Sequence, residues 1–92
     1  MKIKIDLNFE ILDLDGKKQG IANKMIAALL MSEFAKADAE KFFDWALSFN
    51  LVGITEVDSA DLTKLHDLIN SSERITVMAK APIIKYLNTL KK

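Results

Sequence analysis

His66 is the chain's only histidine, and there is no cysteine. Imidazole and thiolate are the side chains best suited to nucleophilic, acid-base or zinc chemistry near neutral pH. One histidine without cysteine cannot build a multi-histidine or thiolate metal site. Asp67 is adjacent in sequence rather than one helical turn away, so it does not share a helix face with His66. Ser32, Ser48, Ser59, Ser71 and Ser72 fall in helical or capping contexts, so no nucleophilic triad is indicated. Asp58 and Asp61 form a carboxylate pair, but acids at a helix start are accounted for by the helix dipole. LDLDGK at 12–17 invites comparison with a calcium loop. That alignment puts Ile11 and Ala22 where oxygen ligands belong, so a turn is the better reading. The glycines at 16, 20 and 53 form no phosphate-cradling loop. The sequence therefore reads as non-enzymatic, with no catalytic, cofactor-binding or metal residues.

Two other constellations point to binding. Phe34, Phe42, Phe43, Trp45 and Phe49 are five of the seven aromatics. At about 100° per residue, Phe42, Phe43, Trp45, Ala46 and Phe49 span roughly 160°, and Leu47 widens the arc to about 200°. A helix facing one core needs an apolar stripe a little over ~100° wide. The arc therefore describes a core helix touched on two sides, or a core helix whose extra face (Phe42, Phe43, Trp45, Phe49) meets a partner protein. The second constellation is basic. Arg74, Lys80, Lys85, Lys91 and Lys92 occur after residue 73 with no acid among them. Cations toward a helix C-terminus complement its dipole, and the alternative is a patch for phosphate or an acidic surface.

The elements that must position these residues start with an alternation. In KIKIDLNFEI, residues 2–11, Ile3, Ile5, Leu7, Phe9 and Ile11 fall on one side, with polar residues on the other. Period two predicts a β-strand with one buried face. The phase slips at Ile11 and Leu12, which predicts a bulge or strand end there. Asp15-Gly16 predicts a two-residue type I′ hairpin with Asp13 opposite Lys18 and a short return strand ending at Gly20.

Helical patterns follow at about 21–33, 37–50 and 58–69, with Asp38 and Asp58 as candidate caps and Gly53 beyond the second. Residues 54–57 read as extended or as a connector. Asn70 and Glu73 resemble a capping arrangement for the last helical region. Ile75, Thr76 and Val77 are β-branched and offer a rival strand. Pro82 predicts a break or kink, with a final helix starting near it and running to about Leu90. The fold expected is α+β, an N-terminal strand or hairpin followed by about four helices, in one domain over residues 1–92.

A strand with so short a return leaves residues 2–9 without an obvious partner. Antiparallel self-pairing centred on Leu7 sets Lys4 opposite Glu10 and Ile5 opposite Phe9, and it keeps Asp6 from facing itself. Half the residues are hydrophobic in a chain of 92, which also suits burial against a partner. The expected role is an interaction or assembly module that forms homo-oligomers through the strand. The alternative is a small nucleic-acid-binding regulator that uses the basic C-terminal segment. Ribbon-helix-helix and helix-turn-helix readings are weak. The strand's outer face carries Asp6 and Glu10 opposite any phosphate, and 75–79 opens with apolar ITVMA rather than base-reading residues.

No apolar run approaches the ~20 residues of a membrane span. The N-terminus lacks signal-peptide patterning and no cysteine occurs, so a cytoplasmic location is expected.

The order of features resembles small uncharacterised proteins encoded by phages and prophages. The matching stretches are the alternating strand, LDLDGK at 12–17, ALLMSE at 28–33, FFDWALSF at 42–49, EVDSADLTKLHDLI at 56–69 and ITVMAKAPIIKYL at 75–87. The resemblance implies a phage origin, a bacterial host, another phage or host protein as a further partner and no established activity, and it carries over no site residues.

Overall fold

A computed structural model describes residues 2–32, 39–73 and 75–90. The architecture is mixed α+β. In chain order the elements are β1 (Ile3–Asp6), β2 (Glu10–Leu12), β3 (Lys18–Ile21), α1 (Ala22–Ser32), α2 (Ala39–Leu51), β4 (Ile54–Val57), α3 (Ser59–Ser71) and α4 (Val77–Leu90). Asp38, the candidate cap of the second helix, lies outside the described residues.

The alternation at the N-terminus does bury one face. Ile5, Leu7 and Ile11 are fully buried, and Ile3 and Phe9 pack against the same core. It forms two strands, however, rather than one of ten residues. Asp6 Oδ1 accepts from the Asn8 N–H and from Asn8 Nδ2, both at 3.0 Å, and the Phe9 N–H donates to the Leu7 carbonyl at 2.9 Å. A short polar side chain that bonds the backbone two residues on makes a local turn, and this one ends β1.

β1 is paired by β4. The register is antiparallel, from Ile3 opposite Val57 to Asp6 opposite Ile54. The strand expected to pair with another copy or with 75–77 has a partner within the chain: 54–57, read from sequence as extended or a connector, is extended and pairs with 3–6. Residues 75–77 form no strand. Val77 already belongs to α4, and the Ala79 and Lys80 N–H groups turn back to the Thr76 carbonyl at 3.1 and 2.8 Å. Thr76 Oγ1 also accepts from the Ala79 N–H, so Thr76, not Asn70 with Glu73, caps this helix.

Pro82 lies within α4 rather than at its start. Its ring nitrogen has no hydrogen to donate, so one bond to the preceding turn is lost. Burial of Ala79, Ile83 and Leu87 on one stripe holds the helix through that point.

β2 and β3 form the hairpin, with the register shift at Ile11/Leu12. Its loop differs from the two-residue turn. Gly16 N–H donates to the Asp13 carbonyl and Asp13 N–H to the Lys17 carbonyl, with Gly16 at φ 81°. A type I turn followed by a left-handed glycine makes a three-residue loop. Asp13 therefore faces Lys17, and Lys18 pairs with Glu10 at 3.3 Å instead. The Asp13 carboxylate accepts from the Asp15 and Lys17 N–H groups and from Gln19, which fastens the loop.

The core is one cluster of side chains from β1, β2, the helices and β4. α1 packs chiefly on α2, and α3 on α4. The start of α1 is capped by backbone: the Ala22 and Asn23 N–H groups donate to the carbonyls of Phe9 and Leu7, both at 2.9 Å.

Candidate interaction surfaces

The strand residues Ile3, Ile5, Leu7, Phe9 and Ile11 face the chain's own core. Leu7 also has its main chain engaged. Its N–H donates to the Gly53 carbonyl, and its carbonyl accepts from Phe9 and Asn23. Self-pairing centred on Leu7 would have to break these bonds. The outer edge of β1 is capped at Asp6, whose N–H donates to the Tyr86 hydroxyl at 2.8 Å. The Tyr86 ring packs on Phe9 with centroids 5.6 Å apart.

The aromatic set divides. Phe42, Trp45 and Phe49 are buried on α2, with Phe42 stacked on Trp45 at 5.8 Å. Phe43 is 48% exposed. Phe34 lies outside the described residues. The basic set does not assemble into a patch among the described residues. Lys80 Nζ donates to the Ser72 carbonyl at 2.7 Å and the Asn70 carbonyl at 3.1 Å, closing the C-terminal end of α3. That is the role of a cation at a helix C-terminus. Lys85 is exposed, and Arg74, Lys91 and Lys92 lie outside the described residues.

His66 Nδ1 lies 3.2 Å from Asp67 Oδ1. Among the described residues no three His, Asp or Glu side chains group as metal ligands, and no helix is long and apolar enough to cross a membrane. Asp58 caps α3 as its spacing predicts, accepting from the Asp61 N–H at 2.8 Å. That bond, with the Lys2 and Lys41 charges helping, holds the Asp58 carboxyl below its ordinary value. Lys41 also bonds Asp61 at 3.0 Å, which ties α2 to the start of α3.

The feature that the sequence reading missed is an exposed apolar face over α1 and α2. Phe43, Leu47 and Leu51 follow one another at four-residue spacing on α2, and are 48%, 43% and 76% exposed. Met31 of α1 is 58% exposed and shares with Leu47 a groove floored by Ala27, Ala28 and Ala46. The only charged side chain on α1 is Lys24, and its Nζ donates to the carbonyl and side chain of Asn50 at 2.8 and 3.0 Å. Two signals for this face were present. One was the width of the α2 arc once Leu47 joined it. The other was a single charge in the eleven residues of α1, too few for a helix with a solvated side.

Comparison with known protein families, with curated proteins and with solved structures found no match.

Proposed function

We propose that this chain is a non-enzymatic interaction and assembly module of the phage or prophage type, and that it self-associates through the α1–α2 face. The observation that carries this reading is the apolar groove flanked by Met31 and Leu47, with exposed Phe43 one turn from Leu47 on α2. Small residues form its floor and long apolar side chains its rim. A surface with both a groove and a ridge is self-complementary under two-fold symmetry, where the ridge of each copy enters the groove of the other. Among the described residues Lys24 is the only charged one lining the groove, and the net charge of zero leaves no long-range repulsion between copies. The phage-type part of the reading rests on the order of sequence features alone.

Sedimentation velocity at about 50 µM should give a dimer, the range in which modest interfaces associate. Leu47→Glu places a carboxylate in both copies' contact, and should raise the dissociation constant by about 100-fold or more while the fold persists. A monomeric wild type at that concentration, or a Leu47→Glu dimer of unchanged affinity, would overturn the reading.

A further inference from the structure

We infer that the outer edge of β4, with the flank of α2 beside it, binds an extended, basic peptide segment of another protein as a third strand of the β1–β4 sheet. This surface is separate from the α1–α2 face, and the two proposals stand or fall apart.

The main chain says what kind of ligand fits. In an antiparallel ladder, alternate residues turn both N–H and C=O to the same neighbour. The Leu7 N–H to Gly53 carbonyl bond sets the phase, and the register sets Ile5 opposite Thr55. Thr55 and Val57 therefore address β1, and Ile54 and Glu56 address the other side. Among the described residues the sheet has two strands, and no strand lies against that side. The corresponding edge of β1 is treated differently. There the Tyr86 hydroxyl takes the Asp6 N–H, and the Asp6 carboxylate takes the Asn8 N–H. No such plug meets Ile54 or Glu56 among the described residues. The β1 edge is capped at Asp6 by Tyr86, whereas the β4 edge carries no such cap and is left as a template for strand addition.

The groove beside that edge supplies the selectivity. Trp45, Val52 and Ile54 are its apolar lining, and Asp44 and Glu56 outnumber Lys4 as its charges. Thr55 lines it too. This residue is 8% exposed, and its hydroxyl is buried without a hydrogen-bond partner. Two outward residues offer two donors and two acceptors, enough to register a segment of about five residues. Ile54 and Glu56 are two residues apart and share the outer face of β4, so peptide side chains on that face meet both, an apolar one beside Ile54 and a Lys or Arg at Glu56 and Asp44. A two-fold pairing of β4 with β4 of a second copy would instead gather the Asp44 and Glu56 carboxylates of both chains. The charge pattern therefore favours a basic peptide over a second copy.

The test is selection from a random linear peptide library on the immobilised full chain, followed by fluorescence polarisation with the enriched peptides. Enriched sequences should be β-prone and carry Lys or Arg beside apolar residues. Glu56→Pro removes an outward N–H and leaves the β1 ladder intact, since proline is tolerated on an edge. It should weaken binding by about 10-fold or more. Should that variant misfold, the double charge reversal Asp44→Lys, Glu56→Lys should weaken the same peptides, and Leu47→Glu should not. Bound peptide should also slow amide exchange at Ile54 and Glu56. No enrichment, or enriched peptides indifferent to these variants, overturns the proposal. So does slowing at Ile54 and Glu56 that follows protein concentration without peptide, because a second copy would then hold the edge.

Discussion

Gly53 is the residue on which the join between α2 and β4 depends. Its φ of 77° lies in the left-handed region, and a Cβ there would overlap the Asn8 side-chain amide. That amide donates to the Val52 carbonyl at 3.0 Å, so it cannot withdraw without a loss. Gly53→Ala should destabilise the fold by about 2–3 kcal/mol. Urea denaturation would show this as a lower midpoint with the same slope. Asn8→Ala in the same chain should recover part of the loss by removing the overlap. Asp58 gives a pH prediction. Its carboxyl is held below the ordinary 3.8, chiefly by the Asp61 N–H. A depressed folded value means that the unfolded chain takes up the proton first as pH falls. The Asp58 contribution is therefore full at neutral pH, and is lost as pH drops below the ordinary value and through the folded one. Asp58→Asn keeps a capping oxygen without that titration. The difference in stability between pH 7 and pH 3 should be smaller in this variant than in wild type, measured by thermal unfolding at both.

At the scale of elements, the capping of the β1 edge by α4 is open to direct test. Tyr86→Phe keeps the ring on Phe9 and removes the hydroxyl from the Asp6 N–H. The expected cost is about 0.5–1.5 kcal/mol. In amide exchange, Asp6 should lose protection while Leu7, bonded to Gly53, keeps it. Exchange at Asp6 unchanged from wild type would mean that the tyrosine does not hold the edge. What the sequence made legible was local. The buried face of 3–11, the slip at Ile11/Leu12, the Asp58 cap and three of the four helices all follow from period, side-chain type or capping chemistry. The misreadings came from competition that a pattern does not display. Asp6 and Asn8 broke a strand whose alternation continued without a fault across the turn. β-branched 75–77 went to a cap and helix because Thr76 could bond Ala79, and the apolar stripe beyond it carried the helix through Pro82. ITEV at 54–57 is short and ordinary, and only its position in space makes it the partner of β1. The aromatic set was split for the same reason. Helical spacing identifies one broad arc, but the placement of α1 decides that Phe42, Trp45 and Phe49 are inside and Phe43 is out.

For the whole molecule, the two proposed contact surfaces lie on different sides of α2, one toward α1 and one toward β4. A chain with both could dimerise and still offer each β4 edge to a peptide, a bivalent arrangement that raises apparent affinity for a tandem ligand. Leu47→Glu should abolish that gain and leave single-peptide binding unchanged, which titration with one-site and two-site peptides would separate. The pairing of β1 with β4 has a further consequence, in time rather than space. Ile3 is matched to Val57, so the first strand synthesised waits for a segment 54 residues later. At translation rates of about 5–20 residues per second, that delay is roughly 3–11 s. Throughout it the nascent chain carries an alternating, β-prone segment with its apolar side uncovered. For those seconds its safety depends on the charges of Lys2, Lys4, Asp6 and Glu10, interleaved along the same stretch, rather than on any contact of the finished fold.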